Sequence, residues 1–482
     1  MSTRKNTMFM IIYEIAVYLI PLVTAPYIAR VLGTEGTGVY SYTYSIANYF
    51  IVFIQLGVTL YGRREIASKT DPAERSKAFW SIFSVITVMF FVSGAIYLVM
   101  CFTVESIYSM ALLIQGFLLL AAWLDICWLF FGIEKFALAV SQNIFLKLAS
   151  LVLVFVLVKD AGDTNLYIGI MSVASFLGVF IMWVVLPKYV SAPKIRFRDV
   201  VPHIKPLIIM TVPVLSVQLF SLTDKVLLGM MVDVDSVGVY GNVYKIARIP
   251  ISIISTIGTV LLPRITNMIA RGKEKETYAY IERSLSFTMI VGCSCAFGLC
   301  SIAPTFVPMY LGEEFRSGVP VLQILCFILV VIAFGNVFRT QYILPRKMDS
   351  VYLVSVTGAA VVNIILNLLM IPYFGAIGAA VASLVSEFVI CIYQSVRIRK
   401  DFKFLHLIRY NFKYVISGAV MGVAVYYAGG IFDKITVLSV CVQTAVGVAV
   451  FGLLSIALEC MFREYVIVGE LKKITNRFLK RK

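Results

Sequence analysis

Histidine is almost missing from this chain: His203 and His406 are the only two, and none of the nine cysteines stands at a metal-type Cys/His spacing. That argues against a zinc site or a histidine-based relay. Charge is equally scarce, since Asp, Glu, Lys and Arg make up 14% of 482 residues, against about 25% in a soluble domain. The phosphate-cradling GxxxxGK[ST], the nucleophile elbow and HExxH do not occur. No connector between apolar runs is long enough to host chemistry. A pump with its own nucleotide site, or a membrane polymerase or ligase built on a large outer loop, therefore does not fit. Cys293, Cys295 and Cys300 lie in apolar sequence and read as small packing residues.

What is present is apolar sequence. Hydrophobic residues reach 60% and the mean hydropathy is +0.92, which predicts an all-α integral membrane protein. Counted in runs of about 20 residues, the chain is expected to hold about fourteen transmembrane helices. Among them are Met8 to Val31, Val39 to Tyr61, Val319 to Tyr342, Val351 to Ile371 and Ala376 to Val396. Arg4 and Lys5 precede the first run without a small-residue cleavage site, so that run is expected to stay as a helix.

The connectors alternate in charge. One set carries Arg63, Arg64, Lys69, Arg75 and Lys77, then Lys188, Lys194, Arg196 and Arg198, then Arg264, Arg271, Lys273 and Lys275, then Arg339, Arg346 and Lys347. The other carries Glu105, Asp160, Asp163, Asp233, Asp235, Glu313 and Glu314, with few cations. The positive-inside rule then puts both termini in the cytoplasm and accounts for the net charge of +16 without nucleic acid. The basic tail from Arg463 to Lys482 extends the same pattern or lies on anionic membrane lipids.

An internal echo organises the chain. GVYSYTYSIANYF, Gly38 to Phe50, returns as GVYGNVYKIARIP, Gly238 to Pro250, each opening the second apolar helix of a half. Six crossings separate the first and seventh helices, so the halves are expected to be parallel repeats. We expect a six-helix lobe over 1–190, a second over 200–398, and an appended helix pair with a basic tail over 405–482. Tyr40, Tyr44, Asn48 and Gln55 share one helical face, and Tyr240, Tyr244, Arg248, Ser252 and Ser255 form the matching stripe. The two stripes are expected to face a shared cavity. Pro21 and Pro26, and Pro206 and Pro213, mark the first helix of each lobe as a hinge or a static kink.

Ionisable residues inside apolar runs are costly, about 2.5–3.5 kcal/mol each on insertion scales, and usually face protein or water. Arg248 falls roughly 15 Å from the outer end of its segment, near the midplane. With Arg30, Lys147, Lys225 and Lys245 it predicts a basic wall suited to a phosphate or pyrophosphate, beside Tyr44, Asn48 and Tyr244 for sugar rings. The same cations could instead pair with Asp125, Asp224 or Glu387 to join helices. Glu14, Asp125 and Glu387 are candidates for a coupling proton or sodium ion, with the membrane potential as the other drive; no cofactor is expected.

APYIARVLGTEGTGVYSYTYS, Ala25 to Ser45, resembles the opening of Wzx-type polysaccharide flippases of the MATE/MOP transporter superfamily. TDKVLLGMMVDVDSVGVYGNVYKIARIP, Thr223 to Pro250, and LLPRIT, Leu261 to Thr266, resemble the start of that family's second lobe. The resemblance implies a two-lobed, alternating-access transporter that moves an undecaprenyl-pyrophosphate-linked oligosaccharide for capsule, exopolysaccharide or O-antigen synthesis. It implies cavity roles for Arg30, Asp224, Lys225 and Arg248, and the polysaccharide polymerase of the same pathway as a partner. The alternatives are an ion-coupled MATE-type drug antiporter, whose cavity should be acidic, and a lipid II flippase, whose first helix is normally richer in cations.

Overall fold

The computed structural model describes the backbone of residues 3–103, 108–432 and 436–462, and their side chains except at 3–21, 136–137, 139–143 and 220–221. All regular structure among the described residues is helical. The α-helices are α1 (Thr3–Gln55), α2 (Val58–Ser68), α3 (Pro72–Thr103), α4 (Ser109–Leu124), α5 (Cys127–Gly132), α6 (Phe136–Leu157) and α7 (Thr164–Val185). They continue with α8 (Phe197–Met231), α9 (Val234–Ala270), α10 (Glu274–Leu311), α11 (Val319–Phe338), α12 (Asp349–Arg397), α13 (Phe404–Gly429) and α14 (Val437–Met461). Among the described residues, 11 helical stretches are long and apolar enough to cross a membrane.

Two of those stretches, Leu22–Ser68 and Asp349–Arg397, far exceed the roughly 20 residues a bilayer requires. Each contains one residue outside helical geometry: Gly33 at φ 66°, ψ −169°, and Gly375 at φ 52°, ψ −130°. The sequence around each reads as a connector several residues long, yet the turn is condensed into a single glycine, because this backbone region is closed to residues bearing a Cβ. Beyond Gly375 the chain doubles back, and a Cβ on Gly378 would run into the Met370 carbonyl. In contrast, α8 runs as one helix through Pro202, Pro206 and Pro213.

The chain divides into two compact units, Met1–Asn242 and Val243–Lys482. The first is knit by aromatic packing. Phe79 stacks on Trp128 at 5.3 Å, Phe90 on Trp123 at 4.6 Å, and Phe83 meets Trp183 edge-on at 5.0 Å. Such pairs add about 0.5–1.5 kcal/mol each beyond their buried area. In the second unit α11 is apolar on all sides and buries residues around its whole circumference, as a helix wrapped by others should.

The α13–α14 pair is packed onto α10. Cβ atoms on Gly418 and Gly422 would press into Phe297 and the Ser301 hydroxyl, so small residues set that approach. Between α13 and α14 the Tyr414 hydroxyl donates to Glu459 Oε1 at 2.9 Å, and the Lys413 ammonium lies 4.1 Å from the Tyr410 ring centroid. Glu459 is fully buried and Lys413 is 3% exposed, so the two helices are held in register by polar groups away from water.

Gly33→Ala and Gly375→Ala should each destabilise the protein by about 1–3 kcal/mol, since alanine strains the break. Gly452→Ala, in helical α14 with no atom within 4 Å of the new Cβ, should be neutral or slightly stabilising. Thermal unfolding in detergent micelles checks both.

Candidate functional site

The internal echo becomes a helix crossing inside the first unit. A Cβ on Gly38 would run into the Val234 carbonyl oxygen, and a Cβ on Gly238 into that of Thr34. A Cβ on Gly241 would lie 3.0 Å from the Ser41 hydroxyl. Residues 34, 38 and 41 of α1 thus meet 234, 238 and 241 of α9, the same positions in the two copies. Glycine lets the two backbones touch, which is how helices gain contact in a solvent as apolar as themselves. Thr34 Oγ1 closes the crossing by donating to Asp235 Oδ1 at 2.5 Å.

Around the crossing, polar groups on α8 are engaged by tyrosines. The Tyr240 hydroxyl donates to Asp224 Oδ2 at 2.5 Å, and the Tyr49 hydroxyl lies 2.7 Å from Thr223 Oγ1. Asp224 is 2% exposed and Tyr240 1%, so this hydrogen bond sits in a low dielectric, where it is strong and costly to break. Asp224 thus accepts from Tyr240, a partner that the sequence did not single out.

On the other copy the matching tyrosine is arranged differently. Tyr40 stacks on Tyr44 at 5.6 Å and meets Tyr167 of α7 edge-on at 4.9 Å. The Asn48 amide donates to the Tyr44 carbonyl at 2.8 Å and lies within reach of the Tyr44 hydroxyl. Tyr44 and Asn48, both named from sequence, thus come together, half-buried. Tyr167 was not foreseen, because nothing local distinguishes it from the other tyrosines of the chain.

The cations are distributed over both units. In the first, Arg30 is exposed on α1, while Lys147 on α6 and Lys225 on α8 are half-buried. In the second, Lys245 is half-buried and Arg248 is exposed, with its guanidinium carbon 5.8 Å above the Tyr244 ring. Arg248 and Tyr244 are brought together one helical turn apart on α9.

Of the candidate coupling acids, Glu14 has its side chain outside the described residues. Asp125 lies where α4 gives way to α5, accepting from the Cys127 backbone N–H at 2.9 Å and from Gln55 at 3.4 Å. Glu387 faces Arg339 at 3.9 Å. Arg339 opens the π-helical turn Arg339–Ile343 that follows α11, and its Nε is buried.

A family model described as "Polysaccharide biosynthesis protein" matches residues 3–269, more than half of the chain. A protein of Escherichia coli (strain K12) named "Putative O-antigen transporter" is 24% identical over 398 residues, 80% of this chain and 94% of that protein. One of the same name from Shigella dysenteriae is 21% identical over 399 residues, 81% of this chain and 98% of its own. Among solved structures, the lipid II flippase MurJ in an inward closed conformation superposes with a TM-score of 0.76. That match covers 94% of this chain and all of the other at 15% identity, a likeness of fold.

The two copies predict opposite responses to loss of a hydroxyl. Tyr240→Phe should destabilise the protein by about 1–3 kcal/mol, because Asp224 loses a buried donor. Tyr40→Phe should stay within about 0.5 kcal/mol of the parent, as read by chemical unfolding of the two variants side by side.

Proposed function

The chain belongs to the polysaccharide biosynthesis protein family, and from that premise we propose that it is a flippase for undecaprenyl-pyrophosphate-linked oligosaccharide repeat units. It carries them from the cytoplasmic to the outer leaflet of a bacterial cytoplasmic membrane by alternating access. Support for a glycan cargo comes from the relatives named O-antigen transporters. The cargo suits a membrane partner in the same pathway, a polysaccharide polymerase that takes up the delivered unit.

The observation that carries this reading is Arg248. It stands fourteen residues into α9, about 20 Å along the helix axis at 1.5 Å per residue, and it is exposed. A guanidinium exposed to acyl chains at that depth is disfavoured by a few kcal/mol. Its exposure therefore implies a water-accessible path, and its planar fork fits a pyrophosphate. As further cationic contacts for the cargo we propose Arg30, Lys147, Lys225 and Lys245, with Tyr44 and Asn48 beside the sugars and Tyr244 under the Arg248 guanidinium.

We read the breaks at Gly33 and Gly375 as tight turns at the outer surface. With α2 continuing the second limb of α1 and α5 continuing α4, they divide the chain into fourteen crossings with both termini in the cytoplasm. The repeats then occupy 1–190 and 200–398, and 405–482 is the appended pair. In that orientation the crossing of Gly38 and Gly238 lies near the outer surface, where it seals the path and has to part for release.

Arg248→Ala and Arg248→Glu, expressed at parental levels in a flippase-deficient strain, should reduce surface polysaccharide at least about tenfold, with Arg248→Lys intermediate because the bidentate fork is lost. Export at the parental level in Arg248→Glu would remove the basic path from the account.

A further inference from the structure

Several tyrosine hydroxyls set inside the protein, among the described residues, have a firm hydrogen-bond partner. Tyr27 donates to the Val158 carbonyl at 2.7 Å, Tyr97 to that of Leu112 at 2.6 Å, and Tyr414 to Glu459 at 2.9 Å. Tyr49 is matched with Thr223 and Tyr240 with Asp224. A phenol placed away from water needs such a partner, because an unmade hydrogen bond there is a net loss.

Tyr40 and Tyr167 depart from that pattern. Neither hydroxyl has a hydrogen-bond partner among the described residues, although Tyr167 is only 8% exposed. Its hydroxyl is not one of the sealed, partnerless polar atoms, so the small part of Tyr167 that can be reached includes the oxygen. The Tyr40 hydroxyl lies close enough to those of Tyr44 and Tyr167 to feel both electrostatically. Asn48 stands beside the Tyr44 hydroxyl. Three phenols and one amide from α1 and α7 therefore converge, two of the phenols unsatisfied, on stacked rings.

We propose that Tyr40, Tyr44, Tyr167 and Asn48 form a saccharide-reading site on the first unit, gripping the uncharged, hydroxyl-rich part of the cargo. This rests on the flippase reading and adds which groups recognise the glycan. Each phenol both donates and accepts, and the amide does the same through two different atoms, which matches the alternating donors and acceptors of a sugar ring. The ring faces offer an apolar surface to sugar C–H groups. None of the four carries a positive charge, so they are poor phosphate ligands by comparison with arginine.

The repeat supplies an internal contrast. At the equivalent positions of the second copy, Tyr240 is committed to Asp224 and Tyr244 lies under the Arg248 guanidinium. One copy has tied its tyrosines to charged groups, while the other has left them open. The divergence divides the work, with the sugars read by the first copy and the pyrophosphate by the second.

The test uses the full-length protein in lipid nanodiscs and two probes, undecaprenyl-pyrophosphate-linked oligosaccharide and undecaprenyl pyrophosphate without sugar. Phenylalanine at each tyrosine removes only the hydroxyl and keeps the ring. Y40F/Y44F/Y167F should weaken binding of the oligosaccharide lipid about tenfold or more, and leave the sugar-free lipid within about twofold. The single variants Y40F and Y167F, whose folding is least at risk, should show the same selectivity in smaller measure. Unchanged affinity for the oligosaccharide lipid, or an equal loss for both lipids, overturns the proposal. Failure of the flippase reading looks different, since the parental protein then binds neither probe, and that result removes the saccharide site with it.

Discussion

The direct contact of two helix backbones at Gly38 and Gly238 is the constraint from which the first unit is built. In lipid there is no hydrophobic force to press helices together, so they hold where small residues allow many close atomic contacts. Here the contact recurs symmetrically, each glycine facing the carbonyl of the residue four positions earlier in the other copy. A side chain at either position would push the helices apart. With them would move the tyrosines two positions further on, which is why the crossing and the candidate site cannot be treated separately.

A second theme is how polar groups are accommodated at membrane depth. Some are matched in pairs, as Tyr240 is to Asp224, Tyr414 to Glu459 and Gln341 to Ser284. Arg248 is exposed, and Lys245 and Lys225 are half-buried. Matched groups fix helices in register, while exposed ones can be reached from outside the protein. The same residue type, tyrosine, takes both roles in the two copies of one sequence motif. Its meaning here therefore comes from its neighbours in space.

Much of this was legible in the sequence because bilayers impose a coarse ruler. The long apolar runs marked the helices, and the matched strings at 38–50 and 238–250 marked the segments that meet. The repeat signalled that two helices correspond, but not that they touch through their glycines. LGTEGTG falls between two predicted apolar runs and so stood as a connector; the structure uses Gly33 alone for the turn and Gly38 for contact, with helix between them. Tyr167 gave no signal at all, being one aromatic residue in an apolar run until folding sets it against Tyr40.

In the proposed transport cycle the Gly38–Gly238 crossing has to open each time cargo is released. Ser41 and Gly241 give the means to hold it shut, since a Cβ on Gly241 stands 3.4 Å from that of Ser41, close to the roughly 3.5–4.5 Å found in disulfides. In a background without the native cysteines, S41C/G241C treated with a mild oxidant should form the disulfide. Polysaccharide export should then stop and return on reduction, while either single variant exports normally. Full export with the crosslink formed in nearly every molecule would contradict the account.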